Sequence, residues 1–135
     1  MKISLRLLRE DFPQAVQADC SPKELDLEFV DLTYLDHVHL EGAVEKLSET
    51  LIFRGQLSSQ IEHTCARCLK QVKEHLTKPF EFVYDIKGKE EVDTLEDIRE
   101  TLILDHPIRY LCQESCRGLC SQCGKDLNEG PCVCP

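Results

Sequence analysis

The sequence predicts a mostly antiparallel β domain, α+β in that it carries one short helix, followed by a cysteine-rich C-terminal tail. Three observations lead there. Apolar residues alternate with period two in several stretches, as they do in strands with one buried face. The run Phe80-Glu81-Phe82-Val83-Tyr84-Asp85-Ile86 adds aromatic and β-branched residues to that alternation. Six of the nine cysteines lie between Cys112 and Cys134, in a stretch almost without apolar side chains. A chain of 135 residues is long enough for one domain with a core of its own, so the tail can be an appendage to it. The expected division is residues 1–110 for the β-rich domain and 111–135 for the tail.

Taken in order, Ile3-Ser4-Leu5-Arg6-Leu7 alternates and reads as a first strand. Asp11 to Pro22, with two prolines, reads as a loop region. Leu25-Asp26-Leu27-Glu28-Phe29 alternates again. Val38-His39-Leu40 and Val44-Glu45-Lys46-Leu47 read as short strands with a turn at Gly42 between them. Leu51 to Ile61 reads as a longer strand in which Gly55 marks a bulge or bend. Lys87-Gly88-Lys89-Glu90-Glu91 is a charged loop. Asp93 or Thr94 then caps a helix near 94–104, with Glu96 and Asp97 in its first turn and Pro107 as its stop.

Charge narrows the function classes. Twenty-five acids against sixteen bases leave a formal net charge of −9, which argues against a general phosphate-binding surface. The charge is uneven, however. Between two acidic stretches, residues 62–80 carry Arg67, Lys70, Lys73 and Lys78 against Glu62 and Glu74, with His63 and His75 close by. The ordinary account of that island is a solvated strand face. The functional account is a contact for RNA or an acidic protein patch. The opening residues are interrupted by Arg6, Arg9, Glu10 and Asp11, unlike a signal peptide, and no run approaches a membrane span. The expectation is a soluble, cytoplasmic protein whose thiols stay reduced, and there a cysteine cluster favours metal over disulfides.

Cys120-Ser121-Gln122-Cys123-Gly124 has zinc-knuckle spacing: two intervening residues let both sulfurs reach one ion, and a following Gly tolerates a positive φ. The other half of such a site comes from Cys132 and Cys134 or from Cys112 and Cys116. Six thiolates suit one closed four-thiolate zinc centred on Cys120 and Cys123, or two zincs sharing sulfurs. Having too few apolar residues for a core, the tail needs the metal for its order. Cys65-Ala66-Arg67-Cys68 is ambiguous by spacing: a secondary metal pair that joins the tail cysteines, a redox dithiol, or a structural turn. Cys20 stands alone as a buried or free thiol. The five histidines read as surface or satisfied residues. No Ser-His-Asp order, phosphate-binding loop, dinucleotide fingerprint or His-Glu-x-x-His pattern is present, and the paired acids do not resemble a catalytic dyad.

Cys65-Ala66-Arg67-Cys68-Leu69 resembles the Cys-x-Arg-Cys-Leu signature of the YceD family, the large ribosomal RNA subunit accumulation proteins. The tail resembles that family's cysteine-rich form, with Cys112, Cys116, Gly118-Leu119-Cys120, Cys123-Gly124, Leu127-Asn128 and Cys132-Val133-Cys134 in order. The resemblance spans about residues 50–134. It implies a cytoplasmic bacterial protein needed for 23S rRNA accumulation.

The leading expectation is therefore a non-enzymatic ribosome biogenesis factor with bound zinc. It would contact 23S rRNA or a basic large-subunit ribosomal protein through Arg67, Lys70 and Lys73, with no membrane and no small-molecule substrate. The competing expectations are a thiol oxidoreductase or metal donor using Cys65 and Cys68, and a zinc-binding adaptor without a ribosomal link.

Overall fold

The computed structural model describes residues 1–104, 106 and 110–134. Among the described residues, seven strands and one α-helix follow in chain order: β1 (Lys2–Ser4), β2 (Gln14–Cys20), β3 (Leu32–Tyr34), β4 (Val38–Leu47), β5 (Thr50–Thr64), β6 (Gln71–Asp85), β7 (Glu91–Asp93) and α1 (Leu95–Leu104). All pairings between these strands are antiparallel. β5 is the central strand of a five-stranded sheet. It pairs with β4 from Thr50 to Ser58, with β3 from Ile61 to His63, and on its other side with β6 along its whole length. β2 lies outside β4, and β1 and β7 form a separate two-stranded sheet.

The core sits on one face of the large sheet. Val38, Leu40 and Val44 of β4, Leu51, Phe53 and Leu57 of β5 and Phe80 of β6 are buried there. Ile3, Leu5, Leu25, Leu27, Ile86, Val92, Ile98 and Leu102 cover them from the small sheet, the connecting segments and α1. Phe53 meets Phe80 edge to face at 4.9 Å, an arrangement the ring quadrupoles favour. The helix starts where the sequence places it. The Asp93 carboxylate accepts from the Leu95 N–H, Glu96 and Asp97 occupy the first turn, and Tyr84 of β6 donates to Asp97 at 2.6 Å. Pro107, read as the helix stop, lies outside the described residues.

Three local readings are corrected. Gln14–Cys20 is a strand, not a loop: of its inward positions Gln14 is polar, Ala18 is small, and Val16 is apolar but only half buried, so the apolar signal is weak. Leu25–Phe29 is not a strand. Turns bring Leu25 and Leu27 into the core, with N–H groups of Leu25 and Leu27 donating to the carbonyls of Ser21 and Pro22. Alternation here reports two buried side chains on a coil, not an extended ladder. The opening strand is also shorter than read, since Leu5–Leu7 form a 3-10 turn.

Gly42 makes no turn, and Gly55 makes no bulge. They pair with each other in an unbroken β4–β5 register. A Cβ on Gly55 would lie 2.3 Å from the Glu41 carbonyl oxygen, and one on Gly42 2.3 Å from that of Arg54. Glycine is required because backbone occupies the space, not for conformational freedom. Gly55→Ala is expected to destabilise the fold by about 1–3 kcal/mol, the cost of overpacking. A lowered urea midpoint at unchanged slope checks this, and an unchanged midpoint refutes it.

Candidate metal centre

The β5–β6 hairpin ends in a turn over residues 65–70, and this turn holds Cys65 and Cys68. The Leu69 N–H donates to the Cys65 carbonyl at 3.0 Å, and the Cys65 N–H donates to the Lys70 carbonyl at 2.9 Å. Residues 120–125 repeat the pattern: Gly124 N–H to the Cys120 carbonyl at 3.0 Å, and Cys120 N–H to the Lys125 carbonyl at 2.8 Å. Both turns need a left-handed residue just after their second cysteine, Gly124 at φ 75 and Leu69 at φ 62. The chain thus contains two copies of one knuckle, with leucine in the first where the second has glycine.

Each knuckle meets a second pair of cysteines. Cys65 and Cys68 join Cys112 and Cys116, and Cys120 and Cys123 join Cys132 and Cys134; within each group every sulfur lies within 4.8 Å of the others. Sulfurs tetrahedral about one ion at ~2.3 Å would lie about 3.8 Å apart. The Cys65–Cys116 and Cys68–Cys112 separations are both 3.6 Å. All nine cysteines are free, and Cys20 lies buried in the main core away from both groups. Each group can hold a metal ion.

The electrostatics fit thiolate ligands. Burial pushes the Cys65 thiol up, but the N–H groups of Cys68, Cys112 and Arg67 outweigh it and bring it down to about 6. Cys120 is likewise brought to about 6 by the N–H groups of Cys123 and Gln122. Cys116 is lowered chiefly by the Asn128 amide. Cys112 is pushed up to about 12 by burial and by the neighbouring thiols. Four adjacent thiolates repel one another, and a dication at their centre removes that penalty.

The first group fastens the tail to the sheet. Cys65 and Cys116 are buried, with Leu111 and Leu119 packed beside them. The Ala66 N–H donates to the Tyr110 carbonyl at 2.8 Å, and Arg67 Nη1 donates to the Cys116 carbonyl at 2.9 Å. Gly118, at φ 77, lies against the turn so closely that a Cβ there would be 3.2 Å from the Arg67 carbonyl oxygen. The Tyr110 ring stacks on buried His63 at 4.5 Å, and His63 Nε2 lies 2.9 Å from a Glu74 carboxylate oxygen. Sequence reading passed over Tyr110 and gave no role at this site to His63 or Asn128, because their partners here lie on distant segments.

Arg67, Lys70 and Lys73 are exposed at this same end of the hairpin. Their surroundings are mixed in sign. Lys73 stands opposite Glu62 in the β5–β6 register, and Lys70 lines a cleft of about 300 Å³ with Cys112, Asp126 and Glu129. Leu69, between them, is 63% exposed.

Comparison with known proteins bears on this end of the chain. Residues 82–135 match the model of the family described as large ribosomal RNA subunit accumulation protein YceD. That segment is similar to the YceD family. The match takes in α1 and six of the eight clustered cysteines, and begins downstream of the Cys65–Cys68 turn. Uncharacterized proteins of Mycobacterium bovis and Mycobacterium tuberculosis are each 28% identical over 127 residues, covering 82% of this chain and 61% of theirs. One from Mycobacterium leprae is 27% identical over 119 residues, covering 76% of this chain and 55% of its own. The chain thus spans about three fifths of the length of these relatives. No solved structure matches it. Among the described residues no helix is long and apolar enough to cross a membrane.

Proposed function

We propose that this protein is a non-enzymatic, cytoplasmic ribosome biogenesis factor that binds 23S rRNA through the metal-braced tip of the β5–β6 hairpin. The family match supports the ribosomal link. The observation that carries the site is the first knuckle: a turn held by four thiols that displays Arg67, Leu69 and Lys70, with Lys73 just behind. In this reading residues 111–135 are a metal-ordered unit seated on the domain formed by 1–110.

Zinc suits both groups, because four thiolates in a tetrahedral arrangement are its usual structural setting. A bound zinc would fix the turn and the tail. With four protein ligands it has no open position for a substrate, which favours a structural over a catalytic role. The grouping of Cys65 and Cys68 with two further thiols also weighs against a free redox pair. A basic ribosomal protein is the second candidate partner, favoured by the net charge of −9. Crosslinking and pull-down of the full chain from growing cells, read for RNA and protein together, tests the proposal. Recovery of 23S rRNA crosslinked at the 65–73 region supports it, and recovery of no ribosomal component refutes it.

Leu69 makes a separate test. A left-handed leucine costs roughly 1–2 kcal/mol, and an exposed one recovers little by packing. Strain of this kind persists where a side chain is used. Leu69→Gly is expected to leave metal content unchanged and stability equal or slightly higher, because relief of strain offsets the extra unfolded-state freedom of glycine. RNA affinity is expected to fall. Chemical denaturation and filter binding on the same samples check both halves, and unaltered affinity would remove Leu69 from the contact.

A further inference from the structure

Asn128 lies in the loop of the second thiol group, between Cys123 and Cys132, yet its side chain ends on the first. Its Nδ2 donates to Cys116 Sγ at 3.3 Å and to Asp126 Oδ1 at 2.9 Å. Its Oδ1 accepts from the Arg117 N–H at 2.9 Å and from Gln113 Nε2 at 3.3 Å. Both donors and both lone pairs of the amide are therefore engaged, three of the four by the segment 113–117 that carries Cys116.

The loop that presents Asn128 is set by the second group. Cys120 and Cys123 precede it and Cys132 and Cys134 close it. Between them the Leu127 N–H donates to the Gly118 carbonyl at 2.9 Å, Asp126 bridges to Leu119, and the Asn128 N–H donates to Asp126 Oδ1 at 2.9 Å. A dication held by four thiolates leaves a complex with two net negative charges. An N–H aimed at one sulfur stabilises that charge, as donors to metal-ligating atoms do.

We propose that Asn128 couples the two thiol groups: metal in the Cys120, Cys123, Cys132, Cys134 group places the amide that tightens metal binding at Cys65, Cys68, Cys112 and Cys116. This rests on the reading of both groups as metal sites. Asn128 acts as a positioning residue and is not itself a ligand. Because coupling of binding free energies is reciprocal, metal in the first group tightens the second by the same factor.

The test titrates the metal-free full chain with cadmium-113, followed by NMR, and with cobalt, followed by its thiolate charge-transfer band. Cys120→Ser with Cys123→Ser assigns the two cadmium resonances. Asn128→Asp keeps the acceptor oxygen and loses the donor, and Asn128→Ala loses both. Both Asn128 variants are expected to weaken the first group about tenfold and to shift its cadmium resonance. Cys120→Ser with Cys123→Ser is expected to weaken the first group by a similar factor, and adding Asn128→Ala to that background to cost nothing more. Two ions per chain with first-group affinity unchanged in Asn128→Ala would overturn the coupling and leave the metal reading standing. The coupling also fails if only Asn128→Asp weakens binding, since the added charge then accounts for the loss. A chain that takes up no ion at the first group overturns both.

Discussion

Chelation of the metal is expected to release the 65–70 turn and residues 110–134 together, while the sheet keeps its fold. The tail holds few apolar side chains, and its contacts to the sheet run through the first thiol group and its neighbours: Ala66 to Tyr110, Arg67 to Cys116, Gly118 against Arg67. Structural zinc supplies on the order of 10 kcal/mol in small zinc modules, most of which is folding free energy. The sheet has its own core, with Leu40, Val44, Leu51, Phe53, Leu57 and Ile61 almost fully buried. Hydrogen exchange should therefore divide the molecule. The amides of Ala66, Leu69, Gly124 and Leu127 should exchange at least about a thousandfold faster after chelation, and those of β4 and β5 between Leu40 and Leu57 should hardly change. An equal rise across Leu51–Ile86 would show that metal supports the sheet as well. Elemental analysis of protein purified without chelator is expected to find two zinc ions per chain, and an absence of metal would remove the premise.

Reversal of the basic cluster is expected to have the largest effect on binding. Arg67→Glu, Lys70→Glu and Lys73→Glu together should abolish measurable rRNA binding at moderate salt and flatten its salt dependence, each lost phosphate contact lowering the slope by about 0.7 to 0.9. Arg67 also donates to the Cys116 carbonyl, so its reversal loosens the metal site as well. Lys70→Glu with Lys73→Glu isolates the surface charge. Glu90→Lys with Glu91→Lys is the matched control on a distant edge, where these acids pair with Arg6 and Lys2. It should leave binding unchanged or slightly tighter. The opposite ranking would indicate an acidic face docking a basic ribosomal protein, and indifference to both sets would remove electrostatics as the basis of recognition.

Where each residue reports its own surroundings, the sequence was sufficient. Period-two alternation with aromatics at Phe80–Ile86 marks a strand because both properties belong to a half-buried pleated surface. The acids of the Asp93–Asp97 segment mark a helix start because unpaired N–H groups sit there. Knuckle spacing marks Cys120 and Cys123 as neighbours because the chain between them is too short to separate them. These signals yield the antiparallel β class, the single helix and the clustering of thiols in the tail.

Only the tertiary structure decided what depends on distant segments meeting. It divides eight cysteines into two groups, setting the hairpin turn at Cys65 and Cys68 against Cys112 and Cys116. Spacing along the chain cannot do this, because sulfurs more than forty residues apart are brought together by the length and register of β5 and β6. It shows that Gly42 and Gly55 serve one close crossing of two backbones, where the chain offers only two separate glycines. It makes one strand of Val38–Leu47, and it turns the alternation of Leu25 and Leu27 into a coil that caps the core. The reason is common to all of these. Burial is decided by what packs on top of a residue, and a local pattern carries no record of the segment that will arrive there.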